Sequence, residues 1–235
     1  MLRRLYEKYG HLLLLFYFPF YMAVFTHIEK VVPEKIHIIN CVFDQYIPFC
    51  EYFVIPYLLW FAYMGAAGLF FMFRDKEAFC KLMYMGMIGM TTFLLVSILY
   101  PNGLEIRPTE FARDNIFVEL TKYIYNADPA RNVLPSIHVF NSVGTFLCIR
   151  KSKSLKDNRF VNVSAFILTV AIVFATMFLK QHSMFDVLSA LVLVTISYDI
   201  VYDSKTVKLY GQIKSRISTR EAGKRKHTAH DGSQE

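Results

Sequence analysis

The chain has 235 residues, 54% of them apolar and 16% aromatic, and carries a formal net charge of +7 at pH 7. Several of its uncharged stretches are too long for ordinary core helices, which excludes a water-soluble globular domain and makes lipid the solvent for most of the chain. The positive charge does not point to nucleic acid, because the lysines and arginines lie in loops and a tail beside apolar runs, where anionic headgroups attract them.

In chain order, uncharged runs extend from Gly10 to Ile28, Tyr52 to Phe73, Leu82 to Tyr100, Asn132 to Ile149 and Phe160 to Leu179. Each is near the ~20 residues that a helical span requires. A sixth, shorter run starts at Val187 and meets Asp199, which together with Asp203 is expected at the membrane interface. Continuous apolar runs lack the alternation of barrel strands, so the backbone must satisfy itself within helices. The expected fold is an all-α integral membrane bundle of about six transmembrane helices over residues 1–203, followed by a basic, mobile cytoplasmic tail over 204–235.

The first run follows Arg3, Arg4 and Lys8, as a signal peptide would. Thr26, His27, Ile28 and Glu29 then stand where small residues would mark a cleavage site, so the run is expected to remain as the first span. The connection from Glu29 to Glu51 is broken by Pro33 and Pro48, with an amphipathic stretch around Ile36 to Phe43 expected in the interface. Pro56 sits early in the second span, where a missing amide hydrogen costs least. The longest connection runs from Pro101 to Leu134, and a loop of that length is expected to be functional. A basic loop, Arg150 to Arg159, separates spans four and five. With the N-terminus inside, nineteen lysines and arginines fall on the inner side and seven on the outer. That asymmetry sets the expected topology: a multi-pass cell-membrane protein with both termini cytoplasmic. Cys41, Cys50, Cys80 and Cys148 have no metal-ligand spacing, and both a Cys41–Cys50 disulfide and isolated apolar-facing thiols fit the pattern.

Two motifs fall on the outer face of this topology. Pro135-Ser136-Ile137-His138 opens span four, and His182-Ser183-Met184-Phe185-Asp186 follows span five. Arg107-Pro108, just after span three, falls there too. Three separated stretches thus bring His138, His182, Asp186, Arg107 and Lys180 to one boundary. This set fits phosphoryl transfer, which needs an attacking group, a proton donor for the leaving oxygen and positive charge on the phosphoryl oxygens. His182 and Asp186 are four residues apart, so on a helix the carboxylate accepts a bond from one ring nitrogen and leaves the other basic. Pro135 suits the first turn of a helix whose free amides make an anion site beside Ser136 and His138. Arg107 supplies a bidentate fork and Lys180 a point charge. Two plainer readings stand beside these: Lys180 snorkelling at a span end, and Ser136 as a helix cap. The scheme requires no metal or other cofactor.

These elements resemble the three signature motifs of the type 2 phosphatidic acid phosphatase superfamily. The resemblance implies a six-helix core, His182 as nucleophile, Asp186 as its orienting group, His138 as the acid for the leaving group, and Arg107 with Ser136 as phosphate ligands. Tyr100 stands where the first motif usually has lysine, Ile137 where the second has glycine, and Ala175 with Thr176 where the third has Ser-Arg. Those departures are similar to the branch containing inositol phosphorylceramide synthases and related bacterial membrane proteins. The expected function is therefore a membrane lipid phosphatase acting on phosphatidic acid or a polyprenyl pyrophosphate through a phosphohistidine, with a lipid phosphotransferase as the close alternative. A transporter with a buried His and Asp pathway, and a metalloenzyme with His138, His182 and Asp186 as ligands, are the readings from other classes.

Overall fold

The computed structural model describes residues 9–31 and 33–203. The basic start at Arg3, Arg4 and Lys8 and the tail over 204–235 lie outside the described residues. The first run winds as 3-10 turns over Gly10–Phe16 and then as helix α1, Tyr17–Lys30. Pro19 lies in the first turn of α1, where its ring crowds the carbonyl four residues back; the tighter winding lies just ahead of it. A short turn, Glu51–Phe53, leads into α2, Val54–Arg74, with Pro56 as its third residue. Helix α3, Lys76–Leu99, follows after Asp75, whose carboxylate caps it by accepting from the Ala78 amide at 3.1 Å.

The connection from Pro101 to Leu134 is not all loop. Asn115 accepts from the amides of Phe117 and Val118, both at 3.0 Å, and starts helix α4, Ile116–Ala127. Helix α5, Ile137–Lys151, begins five residues after its apolar run, because Val133 and Leu134 are held instead by Asn102. Asn158 caps α6, Arg159–Phe178, and α7 spans Met184–Tyr198 before a π turn over Asp199–Asp203. Chain contacts separate Met1–Ser197 from a second unit, Tyr198–Glu235, in whose described part the rings of Tyr198 and Tyr202 stack at 4.7 Å.

The fold is an all-α bundle with five segments long and apolar enough to cross a membrane: Gly10–Lys30, Glu51–Arg74, Lys76–Leu99, Arg159–Phe178 and Met184–Tyr202. The sixth element of the expected bundle is α5, whose 15 residues reach only ~22 Å against a ~30 Å hydrocarbon layer. It stands enclosed, packed by α2, α3 and α6, and most of its residues are buried. Its neighbours, rather than lipid, are its solvent. That explains why it tolerates Asn141, Ser142 and Thr145: the Ser142 hydroxyl donates to the His138 carbonyl at 2.6 Å, and Thr145 to the Met64 sulfur at 3.1 Å. Helix α1 is the opposite case. It buries Tyr21 alone, against Phe93 and Leu94 of α3.

At one end of the bundle the connections are knitted together. Strands β1, His37–Ile38, and β2, Asn102–Gly103, pair in parallel. Asn102 is buried, accepts from the amides of Val133 and Leu134 at 2.9 and 3.1 Å, and donates to the Tyr100 carbonyl at 2.9 Å. Gly103 is required by close approach, since a Cβ there would lie 2.8 Å from the Ala130 carbonyl oxygen. The amphipathic stretch continues as a turn, Val42–Tyr46, that exposes Val42, Phe43 and Tyr46 and buries Asp44. None of the four cysteines forms a disulfide, so Cys41 and Cys50 are not bridged.

Candidate active site

The site begins where α6 ends. Its C-cap is Leu179, and Lys180 takes a left-handed φ of 53° in the position that usually belongs to glycine. The amides of Gln181 and His182 both donate back to the Thr176 carbonyl at 3.0 Å, which turns the chain sharply toward α7. Lysine is held in this strained backbone by its own ammonium, which donates to the carbonyl of Asp44 at 2.7 Å and to that of Ile47. Burial pushes its pKa below the ordinary lysine range, against the opposing pull of Asp44. The charge read from the sequence as a phosphate ligand is thus engaged by two backbone carbonyls and ties down the first connection.

His182 precedes the first residue of α7 by two positions, so the pair with Asp186 bridges the helix start rather than lying along it. The four-residue spacing still brings them together: His182 Nδ1 lies 3.3 Å from Asp186 Oδ2, which also accepts from the Ser183 amide at 2.9 Å. Asp186 is fully buried. With Nδ1 as donor to this carboxylate, Nε2 keeps its lone pair.

Sequence spacing gave no sign of a second carboxylate, Asp44, at the same helix start. Its Oδ1 accepts from the Met184 amide at 2.8 Å, and its Oδ2 accepts from the Ser183 hydroxyl at 2.6 Å and the Cys41 amide at 2.7 Å. A residue of the first connection therefore caps α7, a task normally done by a neighbour in sequence. The available signal was a lone acid between Phe43 and Gln45 in an otherwise apolar stretch.

His138 sits in the first turn of α5, with its ring centroid 4.7 Å from Tyr57, 4.6 Å from Trp60 and 5.7 Å from His182. Pro135 lies before the helix rather than in its first turn. Ser136 is the cap, its hydroxyl oxygen accepting from the Val139 amide at 3.4 Å while its own amide donates to the Asp186 carbonyl at 3.4 Å. The starts of α5 and α7 are thereby joined, and each carries one histidine.

Arg107 stacks over the Tyr125 ring at 4.4 Å. It donates to the carbonyls of Tyr125 and Asp128 at 3.2 and 2.8 Å, and to the Gln181 side-chain oxygen. Burial lowers its pKa, with Asp128 and the tyrosines opposing the shift, and a guanidinium stays charged regardless. Tyr125 in turn donates its hydroxyl to the Leu179 carbonyl at 2.7 Å, so α4 braces the turn that carries His182.

These groups surround a cavity of about 40 Å³, lined among others by Arg107, Arg131, Asn132, His138, Gln181 and His182. One water needs ~10–15 Å³ on this measure, so the space exceeds a single water. Among the described residues, the buried polar side-chain atoms without a partner include Arg107 Nε, His138 Nδ1, Gln181 Nε2 and Asp186 Oδ1, all belonging to this one place. Asn132 and Lys180, the described non-glycine residues with left-handed backbone, both flank it. Of the residues singled out from sequence, His138, His182 and Arg107 meet at the cavity and Asp186 stands behind His182. Ser136 and Lys180 serve as cap and anchor. Arg131, which donates to the Glu29 carbonyl at 3.1 Å, and Gln181 are additions that only the fold reveals. An anion entering here would meet Arg107, Arg131 and two imidazoles. Comparison of the chain with protein-family models, with curated proteins and with solved structures gives no match.

Proposed function

We propose that this chain is a membrane enzyme that hydrolyses a phosphate or diphosphate ester of a lipid, phosphatidic acid or a polyprenyl pyrophosphate in type, through a phosphohistidine. The observation that carries the reading is the pair of histidine rings 5.7 Å apart on a buried cavity shared with Arg107, one of them backed by a buried carboxylate. In this reaction His182 Nε2 bonds to phosphorus as the bond from phosphorus to the ester oxygen, or in a diphosphate to the bridging oxygen, breaks, and the positive charge formed on the ring is balanced by Asp186. With the anionic phosphate in the cavity His138 carries a proton and gives it to that oxygen, releasing the alcohol or, from a diphosphate, the lipid monophosphate. It then takes a proton from the water that attacks the phosphohistidine, and inorganic phosphate leaves as the bond from phosphorus to nitrogen breaks. Arg107 and Arg131 balance charge on the phosphoryl oxygens in both steps. No metal enters the scheme. This is the chemistry of the type 2 phosphatidic acid phosphatase superfamily, which the motifs resemble. The excess of basic residues on the opposite loops supports a reaction at the extracytoplasmic face, with both termini cytoplasmic.

The purified protein in detergent, with a chelator present, should release phosphate from phosphatidic acid or a polyprenyl pyrophosphate and retain an acid-labile phosphate during turnover. His182→Ala should reduce the rate at least ~1,000-fold. An unchanged rate in that variant, or loss of wild-type activity on chelation, would overturn the proposal. Adding an alcohol such as inositol separates hydrolysis from transfer: a phosphorylated alcohol formed in place of free phosphate assigns the same histidines to a phosphotransferase.

A further inference from the structure

A second, larger cavity of about 480 Å³ lies beside the site among α1, α2, α3 and α5. Its walls are almost wholly apolar, and its volume is that of a small-ligand pocket rather than a packing defect. Along α2 it is lined by Trp60, Met64, Gly68 and Met72, one residue per turn, which makes a single stripe ~18 Å long. Trp60 lines the groove, and its ring is 4.6 Å from that of His138, which lines the small cavity. Asn141 of α5, three residues beyond His138, lines the same groove. The groove thus begins one ring contact from His138 and runs away from it toward the turn between α2 and α3.

Its glycines distinguish it from a helix seam. Gly89 of α3 is a packing glycine, since a Cβ there would lie 2.1 Å from the Phe140 ring. Gly65, Gly68 and Gly86 line the groove, and a Cβ on any of them meets nothing within 4 Å. Those positions hold space open rather than allow close approach. The remaining wall is rich in methionine, including Met64, Met72, Met83 and Met90, whose unbranched thioethers adjust to chains of differing shape. At the entrance the buried Trp60 indole N–H has no partner among the described residues, a donor placed where a lipid's ester or ether oxygen would pass.

Resting on the phosphatase reading, we propose that this groove holds one hydrocarbon chain of the substrate lipid while its phosphate lies against His182, and that groove depth selects chain length. A chain anchored by its phosphate at the cavity has to pass only the contact of Trp60 with His138 to enter the apolar groove that reaches Met72. A bilayer lipid unrelated to the reaction has no such anchor.

The test uses single-chain alkyl phosphates of increasing length with the full-length protein in detergent, measuring kcat/KM for each. Wild-type values should rise with length and then level off. Gly65→Leu, Gly68→Leu and Met72→Trp should each lower the ratio of long-chain to short-chain kcat/KM at least tenfold. The length at which the loss sets in should follow depth: shortest for Gly65→Leu, longer for Gly68→Leu and longest for Met72→Trp. A misfolded variant loses all chain lengths alike and cannot produce that order. Equal losses at every length, or no change at any length, would overturn the groove assignment while leaving the phosphatase reading intact. A wild type inactive on every phosphate ester would overturn both. As a readout without turnover, a hexadecyl phosphate with a photoreactive terminal group should label the neighbourhood of Met72 and Phe79 in the His182→Ala protein, competed by unlabelled hexadecyl phosphate. Labelling spread over the outer faces of the helices would count against the assignment.

Discussion

The two cavities are built by opposite means. The small one is fixed by directional bonds from residues far apart in sequence: Asp44 on the start of α7, Lys180 on the first connection, Asn102 on the approach to α5, Arg107 on the turn of Gln181. The large one is walled by methionines and glycines and makes few hydrogen bonds. On the proposed reading, a reacting phosphorus tolerates little misplacement whereas a hydrocarbon chain has no preferred contact, which accounts for directional bonds around the one and adaptable thioethers around the other.

If that contrast is right, the largest effects belong to the polar end. His138→Ala should slow hydrolysis of a lipid phosphate roughly 100-fold to 10,000-fold, the range of a lost general acid. Hydrolysis of an aryl phosphate, whose leaving group needs no proton, should suffer much less; equal losses on both would break the assignment of His138 as acid. Arg107→Lys comes next. It keeps the charge but loses the fork that holds Tyr125, Asp128 and Gln181, so a fall of roughly tenfold to a hundredfold is expected, and full activity would show that the geometry of the guanidinium is irrelevant. Asp44→Asn leaves the shape of the cap but cannot accept on both sides. Thermal unfolding in detergent should show a loss of about 1.5–3 kcal/mol, with kcat falling more than KM because His182 is displaced rather than substrate lost. The smallest effect should be Gly89→Ala. Its methyl must displace the Phe140 ring, which costs about 1–3 kcal/mol of stability and leaves the pH profile of hydrolysis unmoved; a shifted profile would mean that the packing of α5 and the chemistry are coupled.

The bundle itself was largely legible in the sequence, because an uncharged run of sufficient length has few alternatives in lipid. The runs ending at Ile28, Phe73, Tyr100 and Leu179 became helices with ends displaced by a few residues. The run from Asn132 failed at its start, since nothing local marks Val133 and Leu134 as partners of Asn102, some thirty residues earlier. Helix α4 was passed over although Asn115 and the apolar spacing of Ile116, Leu120 and Ile124 announced it; a length of 12 residues is invisible to a search for spans. At the site, spacing predicted the contact of His182 with Asp186 because four residues is a local relation. It assigned Lys180 to phosphate because proximity to a motif cannot reveal that an ammonium is engaged by a carbonyl 136 positions away. The convergence of His138 and His182 was an inference from topology, and their ring separation of 5.7 Å is a property of the packed helices alone.

The cap on α7 carries a consequence for biosynthesis. Asp44 is translated 140 positions before the Met184 amide it receives. Until the last helix enters the bundle that carboxylate has neither Ser183 nor Met184 to serve, and a buried anion stripped of partners is strongly unfavourable. The first connection therefore cannot settle early: it stays hydrated through most of elongation and locks in one of the final steps. On the proposed reading, the site becomes competent late, once α7 has joined the bundle.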